Sequence, residues 1–392
     1  MIRRLPLTVL AALAALAVLV PSAQAARGME IGIQDDEVFV QQNLLSPSRG
    51  YLLASQLGAS RLVINLGWAG AVGETRKDTA RPNPVPYNWG PVDRAIDEAA
   101  ANGLRTQLKL LGPVPAWASG RRKESNISPN PRLFAQFARD AAAHFRGRVD
   151  RYSIWNEPNY SSWLLPHVKA PQLYRELYQG AYKGIKSADP GAMVLIGELS
   201  PLGFTGRSDS PLKFLRAVTC SKPNYEAARS CPPLLADGFA HHPYTIDFRP
   251  NYAGLGRDDV TTGSLVRLEA ALDKLQARQA IVGPNGNRAL DIYGTEYGFL
   301  ARGRRSFPEN QRGAYLRKGF VLAERNPRVK LMTQYLLAAQ SPINSFDSSL
   351  LNPQGQPGMA FNALSAYAQQ ALAEGRVKRP VPFALPPAPP GP

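Results

Sequence analysis

The chain reads as a single (β/α)8 barrel, an α/β fold, and three observations predict it. Eight short apolar, β-branched stretches are interspersed with seven longer stretches of helical periodicity. The segments that follow those stretches are rich in Gly, Pro and polar residues, as cleft-building barrel loops are. Once a leader is set aside, about 365 residues remain, a length that suits one barrel because this fold commonly exceeds the usual domain size.

The elements follow in order. Residues 29–34 (Met-Glu-Ile-Gly-Ile-Gln) make a first strand with Asp35 and Asp36 at its tip, and 47–57 is helical. A second strand, 61–66, ends in Gly67-Trp68, and the Gly- and Pro-rich stretch 69–88 is a long loop. Residues 89–102 form an amphipathic helix stopped by Gly103, with Val92, Ile96 and Ala99 on one face. A third strand (104–110), a proline-rich loop (112–117), a helix (131–144) and a fourth strand (149–154) come next, followed by a helix (174–187) and a fifth strand (192–196). The stretch 198–232 is read as loop. A sixth strand (237–241), a helix with Leu265, Leu268, Leu272 and Leu275 at helical spacing (264–278), and a seventh strand (291–295) follow. A helix (309–325), an eighth strand (330–337) and a last helix (361–372) complete the alternation.

Three segments make up the chain: a signal peptide over residues 1–25, the barrel over 27–375, and a proline-rich tail over 376–392. Arg3 and Arg4 precede an apolar run over residues 5–20, and Ala23-Gln24-Ala25 is a small-x-small cleavage site. The run is short for a span of about 20 residues, so the expected product is secreted, not membrane-inserted. Seven prolines crowd the tail from Pro380 onward, which predicts a disordered or polyproline segment outside the core. Cys220 and Cys231 close a short polar loop before the sixth strand, and an exported chain favours their disulfide.

The formal charge is +16. The basic residues are scattered, with small clusters only at Arg121-Arg122-Lys123 and residues 302–305, and no nucleic-acid motif accompanies them. A solvated basic surface, adhering to an anionic cell wall, accounts for the charge better than nucleic-acid binding does. A monomer is expected.

Two carboxylates stand at strand tips. Val149-Asp-Arg-Tyr-Ser-Ile-Trp155 runs into Asn156, Glu157 and Pro158, and proline ends a strand because it has no N–H for the ladder. Trp155 offers Glu157 an apolar wall of the kind that keeps a general acid protonated. Asp291-Ile-Tyr-Gly-Thr-Glu296 repeats the arrangement. One carboxylate at a strand end is usually a solvated surface group; two in matching settings are what glycoside hydrolysis needs, one as proton donor and one as nucleophile or base.

At these residues the chain resembles the glycoside hydrolases of clan A, the retaining (β/α)8-barrel group. Trp155-Asn156-Glu157-Pro158-Asn159 resembles the acid/base motif after the fourth strand, in a form closest to family 39, while the overall spacing also suits family 5. Thr295-Glu296-Tyr297-Gly298 resembles the nucleophile segment of the seventh strand. The resemblance implies Glu157 as acid/base, Glu296 as nucleophile and Asn156 as a donor to the sugar 2-hydroxyl. His242-Pro243-Tyr244 resembles the clan's sixth-strand His-x-Tyr, which implies that Tyr244 hydrogen-bonds the nucleophile and His242 lines the sugar subsite. Trp68 and Trp163, outside predicted strands, are the better of four tryptophans for stacking on sugar. Glu198, beyond the fifth strand, is read as solvated or substrate-facing.

Two features depart from the clan. Its eighth strand commonly ends in Trp, absent here up to Gln340. Its second strand often carries an Arg that braces the nucleophile; Arg61 comes early in the strand, and Asn65 is the candidate replacement. No cofactor is implied, and adjacent His241 and His242 make a poor metal pair because neighbouring strand residues face opposite sides. The expected partner is a carbohydrate substrate. A carbohydrate- or cell-wall-binding barrel with weak or lost catalysis is the alternative, motivated by the missing Trp.

Overall fold

The computed structural model describes residues 28–284, 286, 289–338 and 346–389; the expected signal peptide lies outside them. Eight parallel strands close on themselves: β1 (Glu30–Gln34), β2 (Arg61–Gly67), β3 (Arg105–Leu111), β4 (Arg151–Ile154), β5 (Met193–Leu199), β6 (Gly238–His241), β7 (Ile292–Tyr297) and β8 (Val329–Tyr335). They run in sequence order round the barrel, and β8 returns to pair with β1. A helix follows each: α1 (Pro47–Gln56), α2 (Gly90–Ala101), α3 (Pro131–His144), α4 (Ala170–Ala188), α5 (Pro211–Val218), α6 (Leu265–Ala277), α7 (Glu309–Glu324) and α8 (Met359–Ala373). Every residue of β1, β4, β6 and β7 is buried. Barrel strands are covered on both faces, which is why they read as apolar runs and not as strict alternation.

The helices form for local reasons. Asn130 accepts from Arg132 and Leu133 N–H (3.0 and 3.1 Å) and Pro131 opens α3, which buries Phe134, Phe137, Ala138, Ala141 and Ala142 at helical spacing. Helix α5 lies within the stretch expected to be loop. It is eight residues long, and its apolar face (Leu212, Phe214, Leu215, Val218) is too brief for periodicity to stand out between prolines and polar turns. The Cys220–Cys231 disulfide follows it and closes the loop that leads to β6.

The barrel floor, at the strands' N-terminal ends, is an ion-pair cluster. Glu30 accepts from Arg61 (2.7 Å) and Arg151 (2.8 Å), all three buried. Arg61 therefore belongs to the end of the barrel opposite the mouth.

The tail does not hang free as far as Leu385. Gly28 N–H bonds Arg376 O (2.9 Å), Lys378 N–H bonds Met29 O (2.9 Å), and Phe383 N–H bonds Ala100 O (3.2 Å). Val377 is buried in the core, and the Arg105 guanidinium covers the Phe383 ring at 5.0 Å. The expectation of a detached segment weighed the prolines alone. Proline lacks a donor, but Val377 before the prolines and Phe383 and Leu385 among them supply apolar anchors. Truncation after Gly375 is expected to cost at least about 1.5 kcal/mol, the burial of Val377 alone. Thermal melts of the full and truncated chains check it, and equal midpoints would show the strap contributes nothing.

Candidate active site

The mouth of the barrel is built by departures from regular strand. After β4, Trp155 and Glu157 both take left-handed backbone (φ +72° and +37°). Such conformations cost of order 1–3 kcal/mol each and persist where the surroundings over-determine them. Here Trp155 N–H is held by Leu110 O (2.7 Å) and Glu157 N–H by Glu198 O (2.8 Å). The turn sends the Trp155 indole into the helix layer, edge-on to Phe134 of α3, while the Glu157 carboxylate reaches His242. Asn159, fully buried, ties the loop to Ser200 and Asp209.

Bulges aim the other two carboxylates. Between β5 and β6, Gly197 faces Ala240 and Leu199 faces His241, leaving Glu198 as an extra residue with φ +51°. Gly197 has φ +122°, and a Cβ there would lie 2.2 Å from Ala240 O, so only glycine fits. Between β7 and β8, Gly294 faces Met332 and Tyr297 faces Gln334, so Thr295 and Glu296 share one opposing residue. Bulges beside active sites re-aim side chains in this way.

Glu296 sits at the centre. Lys109 Nζ of β3 lies 2.5 Å from its Oε1, and Tyr244 Oη–H donates to its Oε2 (3.2 Å). Burial alone would raise the Glu296 pKa; His242 and Lys109 outweigh it and hold the carboxyl below the usual range. Lys109 is fully buried and also donates to Asn156 Oδ1 (3.2 Å), and burial fails to discharge it because Glu198 and Glu296 raise its pKa. His242 Nδ1 is 3.0 Å from Glu157 Oε1 and 3.6 Å from Glu296 Oε2, and Nε2 is 2.7 Å from Glu198 Oε2. The two Nδ1 distances laid end to end cap the oxygen separation of Glu157 and Glu296.

No protein-family model matches the chain. Solved structures do. A family 39 glycoside hydrolase from Bacteroides cellulosilyticus aligns with 88% of this chain at TM-score 0.62 and 17% identity, and the chain spans 64% of that protein, under two thirds of its length. A family 39 β-xylosidase from Caulobacter crescentus aligns with TM-score 0.55 and 16% identity, over 87% of this chain and 70% of that one. Xylanase 10B from Thermotoga petrophila, solved with xylobiose, gives 0.54 and 14%, over 89% and 98%. The chain shares the (β/α)8-barrel fold of these glycosidases.

Within this barrel the residues singled out from the sequence divide. Asn156, Glu157, His242, Tyr244 and Glu296 converge at one end of the barrel. His242 is fully buried between carboxylates, so it does not line an open subsite. Trp68 is also fully buried, stacked on Phe137 at 5.3 Å and edge-on to Trp117, and cannot serve as a sugar platform. Trp155 is core as well, not a wall of the cleft. Trp163 is half-buried, its carbonyl taking the Trp155 Nε1–H (2.8 Å). Glu198, expected to be solvated or substrate-facing, has no exposed surface because the bulge points it inward.

Asn65 does not replace the bracing Arg. Its N–H bonds Asp36 Oδ1 (3.1 Å), while Lys109 makes the contact to Glu296. Sequence reasoning missed Lys109, although a lysine inside Leu108-Lys109-Leu110-Leu111 was a signal: a charge in a buried strand requires a partner. Strand β8 ends in half-buried Tyr335, whose pKa is pushed far up by burial and then by the charges of Glu296, Asp36, Asp35 and Glu157. An aromatic residue thus stands at the end of that strand, although no tryptophan does.

Proposed function

We propose that the chain is a secreted glycoside hydrolase that cleaves O-glycosidic bonds of a polysaccharide or β-glycoside with retention. The observation that carries this reading is the pair Glu157 and Glu296 at the ends of β4 and β7, both within reach of His242 Nδ1 (3.0 and 3.6 Å). A pair of carboxylates set close together at a barrel mouth is the equipment of double displacement. The Glu296 carboxylate attacks the anomeric carbon as Glu157 gives its proton to the departing oxygen, releasing the alcohol and leaving a glycosyl ester. Glu157 then takes a proton from water as that water attacks the same carbon and frees Glu296. With Oδ1 engaged by Lys109, Asn156 presents its N–H2 to the sugar 2-hydroxyl, a bond that strengthens as charge grows on the ring. Half-buried Trp163 remains a candidate stacking surface.

Export is supported by the Cys220–Cys231 disulfide and by the leader-like first residues, and among the described residues no helix is long and apolar enough to cross a membrane. Two of the structural neighbours are a β-xylosidase and a xylanase, so xylosides head the substrate panel. A panel of aryl β-glycosides, assayed with wild type and Glu157→Ala, tests the proposal. Turnover of one glycoside, loss in the variant, and rescue by azide on an activated leaving group, with a β-configured glycosyl azide as product, are expected. No turnover of any glycoside or polysaccharide, with both proteins binding glycan alike, would replace it with a binding-only barrel.

A further inference from the structure

The double-displacement reading gives no task to the buried carboxylate of Glu198. Glu198 holds Glu157 in two ways. Its backbone carbonyl accepts the Glu157 N–H (2.8 Å). Its side-chain Oε2 lies 2.7 Å from His242 Nε2, and the far nitrogen of that ring lies 3.0 Å from Glu157 Oε1 and 3.6 Å from Glu296 Oε2. Oε2 also accepts from Thr295 Oγ1–H (2.7 Å) and has Lys109 Nζ at 3.5 Å.

Both ring nitrogens of His242 therefore face carboxylates. A neutral imidazole has one N–H and would set a bare lone pair against a carboxylate on its other side; only the imidazolium donates in both directions. We propose that Glu198 is a positioning residue that keeps His242 doubly protonated, so that one cation under the site fixes the spacing of the Glu157 and Glu296 carboxylates. The proposal rests on the glycosidase reading for the use made of that spacing.

The groups around the ring agree in sign. Glu157 faces it from the end of β4, Glu198 from β5 and Glu296 from β7, with Tyr244 beside it on its own loop and Lys109 the one cation, on β3. Burial and Lys109 oppose the charge on His242; Glu296 and the hydrogen bonds to Glu157 and Glu198 overcome them, and the ring is lifted to about 9. Against three carboxylates stand two cations, Lys109 and His242.

The test is a ¹⁵N NMR titration of the histidine rings in the full chain, wild type and Glu198→Gln. The chain has four histidines, and His242→Asn assigns the resonance. In wild type, both His242 nitrogens should be protonated at pH 7, with a midpoint above the ordinary imidazole value of about 6.5. In Glu198→Gln the midpoint should fall by about one unit or more, and kcat should fall with little change in KM. A generally structural role would lower thermal stability without moving the titration of His242. A ring neutral at pH 7 in wild type, or a midpoint unmoved by the substitution, overturns the proposal. If Glu198→Gln does not fold, the wild-type titration decides alone. Because NMR reads the ring without turnover, an inert protein with charged His242 would sink only the glycosidase reading. An active enzyme with neutral His242 would sink only this one.

Discussion

Glu296→Ala is expected to lower kcat by about 10⁴-fold or more, the scale on which loss of a covalent nucleophile falls. The side chain is contacted by Lys109 of β3 and by His242 and Tyr244 just beyond the end of β6. The stereochemistry separates this variant from Glu157→Ala. Azide entering the space left by Glu296 attacks the anomeric carbon once and gives an α-configured product from a β-glycoside. Azide rescuing Glu157→Ala intercepts the glycosyl ester and gives the β-configured product. Kinetics on the best aryl glycoside and product analysis read both outcomes. Residual activity within about tenfold of wild type, or the same anomer from both variants, would remove Glu296 from the nucleophile role.

Lys109→Met should have the second largest effect, and on two readouts. Methionine keeps much of the length and removes the charge, so Glu198 and Glu296 lose the buried cation they share. Breaking a buried pair by deleting one partner costs about 3–5 kcal/mol. A preorganised charge at a reacting carboxylate is worth about 10²-fold in kcat. The pH dependence has a definite sign. Lys109 and His242 hold the folded-state pKa of Glu296 below its ordinary 4.5. In wild type that contribution to stability is therefore present above 4.5 and lost as pH falls through the folded-state value. Without Lys109, burial pushes the Glu198 and Glu296 pKa values up. The destabilisation should then be largest near pH 7–8 and shrink toward pH 4 as the carboxylates take protons. Thermal melts across that range check it. A variant as stable as wild type at pH 7.5 would mean that Lys109 is discharged in the folded protein, contrary to its surroundings.

What could be read in the sequence and what could not divides along local and non-local lines. The strands were legible because each buries both faces, and the long helices because their apolar stripes run for several turns. Eight-residue α5 escaped because its stripe is barely two turns long. Glu157 and Glu296 were legible because a carboxylate beside Asn-Pro or Thr-Tyr-Gly at a strand end has a local signature. Glu198 had a carboxylate at a strand end too, yet its burial depends on the bulge opposite Ala240 and His241, which no nearby residue announces. Trp68 was misplaced for the same kind of reason. It opens a short helical turn, Trp68–Ala71, that places the indole on Phe137, far along the chain.

The sequence by itself determined the architecture, the pair of strand-tip glutamates and the cysteine pair, since these follow from periodicity and from residues adjacent in the chain. Tertiary structure alone decided the charges beneath them. Lys109 on β3, Glu198 on β5, His242 after β6 and Glu296 on β7 meet only when the sheet closes into a barrel. Whether a buried charge survives depends on partners brought within about 4 Å, and those distances between distant strands are set by closure and register, not by any local run of residues.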